Sequence, residues 1–263
     1  MKNLIAGLAE RKLSKVKDKI KNSGIKHSIT IVSVGDDPAS QIYIKNKKLK
    51  LAEVGIECNH VEIAAEEDNK GLLQEIADSS ETPIFFQLPI PDGWVVPELP
   101  AKRDVDAFGL EAFGLLMQGC EPVLPCTVQA VFDIVHEYRG KEGVAGLKVA
   151  VIGRSPIVGK PLSVALINRQ ATVTALNSKS NLDEVDWHSF DVVVVATGYH
   201  GVVSSSQFRK GQLIIDVGIN RIDGEIKGDV FHDNDSEASI TPVPNGVGKL
   251  TVANLISNIV ELS

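Results

Sequence analysis

Apolar positions along this chain follow two rhythms. Some fall in short continuous runs, and others recur three and four apart through longer stretches. Short runs predict buried strands, and the wider spacing predicts amphipathic helices. In the first half the pattern predicts a helix over Leu4 to Ile20, a strand over Ser28 to Val34 and a helix over Gln41 to Val54, stopped at Gly55. A strand over Cys58 to Ile63, a helix over Asn69 to Ala77 and a strand over Pro83 to Gln87 follow. Gly35 to Ser40 is a turn with helix-start chemistry, in which Ser40 is placed to cap. Ile42, Leu49 and Ala52 repeat at helical spacing and are expected to form the buried stripe of the helix that follows. Asp92 to Arg103 is a proline-rich loop.

In the second half, Val128, Val131, Phe132, Val135 and Tyr138 line one side of a helix that begins at Thr127 and closes at Gly140. Four β-rich runs come next, at Lys148 to Ile152, Ala171 to Leu176, Asp191 to Ala196 and Gln212 to Val217, with a helix over Leu162 to Asn168. Strands alternating with helices at this spacing predict a doubly wound, Rossmann-type parallel sheet that binds its ligand at the carboxyl ends of the strands. Asp223-Gly224, within Asn220 to Ile226, is a hairpin signal. Thr241 to Gly248 is a rigid, glycine-rich loop. A last helix, about Thr251 to Leu262, carries Val252, Leu255, Ile256 and Ile259; it comes after the sheet is complete and is expected to pack back on the first domain. The expected architecture is α/β with two domains: residues 1–120 joined by the helix 249–263, and a nucleotide-binding domain over 121–248.

Composition narrows the classes. A chain of 263 residues is long enough for two domains, and a 43% hydrophobic, 23% charged make-up is that of a globular protein. The net charge of −7 argues against nucleic acid as a bulk partner. Cys58, Cys120 and Cys126 lack the spacing of a disulfide framework or a zinc site. Met1 to Leu8 is too short an apolar run for a signal peptide, and no segment is of membrane-spanning type, so a cytoplasmic location without a membrane partner is expected.

The candidate chemistry lies in a few stretches. Gly153-Arg154-Ser155-Pro156-Ile157-Val158-Gly159-Lys160-Pro161 joins a strand to a helix, the context in which a pyrophosphate sits on a helix N-terminus. Ser155 stands at the second glycine of the usual fingerprint and Gly159 comes one residue late, so the turn alone reads equally well as a tight structural turn. About 20 residues on, where an NAD site would carry a carboxylate for the ribose hydroxyl, the chain has Asn177-Ser178-Lys179-Ser180. With Arg154 in the turn, this favours NADP. Tyr43 and Lys47, four apart, share a helix face and can act on one ligand. Gln87 ends a strand stopped by Pro89 and Pro91 and is either a satisfied end-cap or a site residue. Asp104 and Asp106, flanking Val105, read as solvated loop carboxylates.

Taken together and in order, these blocks resemble the bifunctional methylenetetrahydrofolate dehydrogenase/cyclohydrolase family over nearly the full chain. The matching residues are Val34 to Tyr43 with Lys47, Gln87 to Pro91, Asp104 to Asp106, Pro125 to Thr127, Gly153 to Pro161, Ile215 to Asn220, Gly228 to Val230 and Thr241 to Gly248. The resemblance implies oxidation of methylene-tetrahydrofolate with NADP and hydrolysis of the methenyl product to 10-formyl-tetrahydrofolate, in one-carbon metabolism and purine biosynthesis, by a homodimer. It implies Lys47 as the proton-transfer residue, Gln87 as its hydrogen-bond partner, Tyr43 against the folate ring and Asp106 on the pterin edge. It places Gly153, Arg154, Ser155, Ile157, Val158, Gly159, Ser178 and Ile219 at the cofactor, with Arg154 and Ser178 on its 2′-phosphate. The chain departs from the family pattern at Ala107, Gly109 and Leu110, at Ala112 and Leu115, at Val128 and Ala130, and at Asn177, Tyr199, His200, Asn245 and Lys249. Other readings are an NADP-dependent dehydrogenase of similar build acting on another small substrate, and a non-catalytic folate- or nucleotide-binding descendant.

Overall fold

The computed structural model describes residues 1–65, 71–140, 143–233 and 236–263. The chain clusters into two compact units, residues 11–126 with 252–263, and residues 1–10 with 127–251. The first helix, α1 (Lys2–Ser23), therefore contributes residues to both.

The first unit is built on three parallel strands, β1 (Ser28–Val34), β2 (Glu57–Ile63) and β3 (Ile84–Phe86), in the order β2-β1-β3. Helices α2 (Pro38–Val54), α3 (Leu72–Ser79) and α4 (Leu110–Gln118) accompany them. Because side chains alternate along a strand, β1 feeds two cores. Ile29 and Ile31 pack with Ile44, Leu51, Val54 and Phe85 on one side. Val32 and Val34 pack with Leu73, Ala77, Ile84 and Phe86 on the other. Leu255, Ile256 and Ile259 of the last helix, Val247–Leu262, join the first of these cores, so that helix does return to the N-terminal sheet.

Three local expectations are corrected here. The buried face of α2 is Ile44, Lys47, Leu51 and Val54, whereas Ile42 and Leu49 are more than half exposed and Ala52 is exposed. The apolar periodicity was misleading because a lysine occupies one inward position. The helix starts at Pro38 and is capped by Asp37, whose Oδ2 accepts from both the backbone N–H and the hydroxyl of Ser40. Ser40 is thus a donor to the cap. Helix α4 was not predicted at all. For α3, Asn69 and Lys70 of the expected span lie outside the described residues.

In the second unit, α5 (Cys126–Arg139) leads to five parallel strands. These are β4 (Lys148–Ile152), β5 (Thr172–Leu176), β6 (Val192–Val195), β8 (Leu213–Asp216) and β12 (Ser239–Ile240), in the order β12-β8-β6-β4-β5. The fifth strand, β12, pairs with β8 and was not foreseen. Helix α6 (Gly159–Asn168) begins inside the glycine turn, earlier than expected. Short strands β7 (Val203–Ser204) and β11 (Val230–Phe231) pair with each other, and β9 (Asn220–Ile222) and β10 (Glu225–Lys227) form the hairpin around Asp223-Gly224. The sheet runs outward from β4 to β5 and then resumes on the other side at β6. The topological switch point therefore lies between the carboxyl ends of β4 and β6, where open α/β sheets bind ligands.

Candidate active site

In the first unit, Lys47 points inward from the middle of α2 and is only 8% exposed. Its Nζ donates to Oε1 of Gln87 at 2.8 Å. Gln87 follows the end of β3, where its backbone N–H is bound by the Val32 carbonyl at 2.8 Å. The Gln87 Nε2 donates to the Leu88 carbonyl at 2.6 Å, which fixes the amide with its oxygen toward the lysine. Burial brings the Lys47 pKa down to about 8, against the opposing pull of Asp106 and then Cys126. A lysine so placed is a usable proton acceptor near neutral pH, which an ordinary lysine is not. Tyr43, one turn earlier, is 37% exposed.

The two carboxylates of Asp104-Val105-Asp106 have different fates. Asp104 is 4% exposed, and its two oxygens accept from the N–H groups of Ala107 at 2.9 Å and Gly109 at 2.8 Å. It fastens the turn after Val105, and burial raises its pKa to about 6. Its expected place as a solvated loop carboxylate is wrong. Asp106 is partly exposed and accepts from the backbone N–H of Cys126 at 3.2 Å. Asn258 of the last helix ties the region together, donating to the carbonyls of Val105 and Leu124, both at 2.9 Å. Sequence reasoning missed this residue; the only signal was an asparagine within the apolar stripe Leu255, Ile256 and Ile259.

In the second unit, the glycines of the turn are required by close packing. A Cβ on Gly153 would stand 2.1 Å from the Ala196 carbonyl oxygen at the end of β6, and one on Gly159 would stand 2.1 Å from the Gly153 oxygen. Both clashes involve backbone that cannot move aside, so strand, turn and helix start are pressed together at the switch point. Ser155, in place of the second glycine, accepts through Oγ from the N–H of Val158 at 3.1 Å and of Gly159 at 3.4 Å. It orders the turn and the first residues of α6. Ile152 pairs with Leu176, so Arg154 and Ser178, each two residues farther on, leave adjacent strand ends. Both are exposed, as are Ile157 and Ile219, the latter beyond β8, while Val158 is half-buried. Asn177 and Ser180 order the second loop, with the Asn177 N–H donating to Ser180 Oγ and the Lys179 N–H to Asn177 Oδ1, both at 3.0 Å.

The rest of this rim is held by two buried aspartates. Asp216 accepts from the N–H groups of Gly218, Asp229 and Val230 at 2.9–3.0 Å. Asp229 accepts from Thr197 and Gly198 and from the Asn220 side chain. Burial raises the Asp216 pKa in spite of those three donors. Their network ties Ile215 to Asn220 and Gly228 to Val230 into one clasp around the loops after β6 and β8.

Both units of the chain match known proteins. The model for the catalytic domain of tetrahydrofolate dehydrogenase/cyclohydrolase matches residues 3–106, and that for its NAD(P)-binding domain matches residues 125–263. The chain belongs to the tetrahydrofolate dehydrogenase/cyclohydrolase family. It is 37% identical over 251 residues to the bifunctional protein FolD of an Exiguobacterium species, covering 91% of this chain and 89% of that one. It superposes on the bifunctional FolD methylenetetrahydrofolate dehydrogenase/cyclohydrolase of Campylobacter jejuni with a TM-score of 0.88, at 32% identity, covering 99% of this chain and 96% of that one. The N5,N10-methylenetetrahydrofolate dehydrogenase-cyclohydrolase of Trypanosoma brucei, solved with NADP and an inhibitor, gives 0.85 at 27% identity, covering 99% and 95%. Among the described residues, no helix is long and apolar enough to cross a membrane.

Proposed function

We propose that this family member oxidises methylene-tetrahydrofolate with NADP and hydrolyses the methenyl product to 10-formyl-tetrahydrofolate. The observation that carries the reading is the buried Lys47 amine, oriented by Gln87 and brought into the working pH range by its surroundings. Oxidation requires alignment of substrate and cofactor, whereas hydrolysis requires a proton acceptor for the attacking water. Neutral Lys47 takes the water proton as the new C–O bond forms, and the resulting ammonium is held by the Gln87 amide oxygen. The proton is then given up to N5 as the C–N5 bond breaks and leaves the formyl group on N10. Tyr43 offers its ring to the planar pteridine, and Asp106 offers a carboxylate to the N–H groups of the pterin edge.

What supports a dinucleotide in the second unit is the tight strand–turn–helix at Gly153 and Gly159 on the switch point of the sheet, with Arg154 and Ser178 supplying a cation and a hydroxyl where NAD selection would place a carboxylate. When bound, NADP supplies the hydride acceptor. Gly153, Ser155, Val158 and Gly159 shape the turn that would receive its phosphates, with Ile157 and Ile219 as apolar flanks. A cytoplasmic homodimer without nucleic-acid or membrane partners is part of the same proposal, supported by the family resemblance and the net charge. Incubating the protein with methylene-tetrahydrofolate and NADP, and following NADPH and methenyl absorbance separately, tests the reading. NADPH should form, and added methenyl-tetrahydrofolate should decay faster than without protein. Failure of both would overturn the proposal.

A further inference from the structure

Lys47 has a second neighbour that the proposed chemistry has not used. Its Nζ lies 3.8 Å from the centroid of the Phe85 ring, over the face. Phe85 and Gln87 are two residues apart at the end of β3, so their side chains leave the same side of the strand. One supplies an oxygen to the amine and the other an aromatic face. Phe85 is 7% exposed and packed in the core with Ile29, Ile31, Ile44 and Leu51, which leaves its ring little freedom to turn away.

The ring's chemistry matters because of what surrounds the amine. From α2 the neighbouring wall is apolar, with Ile44 and Leu51 buried. From β3 come Gln87 and Phe85. From the 104–106 segment Asp106 acts on Lys47 as a charge, and from the start of α5 comes Cys126. Full burial holds the Cys126 thiol well above its ordinary range, so it stays neutral. An aliphatic side chain at position 85 would only remove water from the ammonium. An aromatic face removes water and also attracts the cation through its quadrupole. The attraction applies to the ammonium and hardly at all to the neutral amine.

We propose that Phe85 is a positioning residue for the reaction, whose ring face holds the ammonium form that Lys47 takes on when it accepts a proton. This rests on Lys47 being the proton acceptor, as proposed above. The ring therefore acts on the state formed during hydrolysis and partly offsets what burial costs that state. With Gln87 it gives the amine two partners from the end of one strand.

The test keeps the shape of the ring and drains its face of electron density. Mono-, di- and pentafluorophenylalanine are introduced at position 85 by site-specific incorporation, with Phe85→Leu as the aliphatic comparison. Lys47 is titrated directly by NMR in protein carrying 13C at lysine Cε, its signal assigned by loss in Lys47→Met. The Lys47 pKa should fall stepwise with fluorination, by roughly 0.5–1 unit over the series. The acidic limb of the hydrolysis pH profile should move down by the same amount, because less acid conditions are no longer needed to free the amine. The KM for methylene-tetrahydrofolate should stay put. A Lys47 titration unchanged across the series would overturn the proposal and leave Phe85 as packing. A titration that moves while the hydrolysis limb does not would support the role of Phe85 in holding the ammonium, and would instead count against Lys47 as the proton acceptor.

Discussion

Gly228 and Asp216 are packed so closely that no side chain fits between them: a Cβ on Gly228 would stand 1.9 Å from Oδ2 of Asp216. The carboxylate cannot retreat without leaving the N–H groups of Gly218, Asp229 and Val230. A buried donor left without its acceptor costs about 1–3 kcal/mol. Gly228→Ala should therefore destabilise the protein by roughly 3–5 kcal/mol, read by denaturant unfolding. The same logic holds for Gly218, where a Cβ would stand 2.0 Å from Oδ1 of Asp229. A melting temperature equal to the wild type in either variant would show that the clasp can open at little cost.

The two neighbouring carboxylates should separate in mutagenesis. Asp104 uses both oxygens on backbone donors, and an asparagine supplies only one oxygen. Asp104→Asn should destabilise the fold by about 1–3 kcal/mol. Its folded pKa of about 6 lies above the ordinary carboxylate value, so the folded state holds a proton that the unfolded state releases between about pH 4 and 6. The wild type gains stability from this group as the pH falls through that window, and the gap to Asp104→Asn should widen there. Asp106→Asn should instead raise the KM for the folate substrate and leave the melting temperature nearly unchanged. Unfolding curves at pH 4, 5, 6 and 7, set beside steady-state kinetics, decide both.

Much of this arrangement was legible in the residues, and the failures share a cause. Apolar runs located the strands β4, β6 and β8 because buried parallel strands are written as continuous apolar segments, whereas β1 and the largely exposed β5 were legible from their β-branched residues. The return of the last helix followed from its apolar stripe once the second sheet was complete. The face of α2 was misjudged because Lys47 occupies an inward position, and a hydrophobic pattern cannot represent a buried cation. Asp104, Asp216, Asp229 and Asn258 were missed or taken for surface groups for the same reason. Their burial depends on polar partners, N–H donors for the three aspartates and the Val105 and Leu124 carbonyls for Asn258, and no apolar spacing records those. Helix α4 follows Gly109 without a side-chain cap, so its start carried no capping signal. The two-residue strands β7, β11 and β12 are too short to show any period.

In the proposed reading, cofactor choice turns on Arg154. It stands two residues beyond the end of β4, exposed, and Ser178 stands at the matching place beyond β5. A charge-assisted contact to phosphate is worth about 1.5–3 kcal/mol. Arg154→Ala should weaken NADP binding by roughly ten- to a hundredfold and leave NAD binding nearly unchanged. Titration calorimetry with each cofactor distinguishes the outcomes. An equal loss for both would mean that the arginine shapes the turn and does not read the 2′-phosphate.

Lys47 should show function and stability pulling in opposite directions. With its pKa brought down to about 8, the neutral fraction at pH 7 is roughly two orders of magnitude above that of an ordinary lysine. Lys47→Met removes the acceptor and should reduce methenyl hydrolysis to the uncatalysed rate. Dehydrogenase activity should weaken through lost orientation. Gln87→Ala removes an acceptor that favours the ammonium, so the acidic limb of the hydrolysis profile should move to lower pH, with a lower plateau. Stability follows the opposite sign. The folded pKa is depressed, so between about pH 8 and 10 the unfolded chain holds a proton that the folded chain has released, and wild-type stability rises with pH there. Below that window the wild type carries the full cost of a buried ammonium, which methionine does not have. Lys47→Met should thus be more stable than the wild type at pH 7, by up to about 3 kcal/mol, with the advantage shrinking toward pH 10. Hydrolysis at the wild-type rate in Lys47→Met would remove the proton-transfer role. A less stable variant at pH 7 would mean that the contacts of the amine with Gln87 and Phe85 outweigh the cost of its burial, making the lysine part of the scaffold.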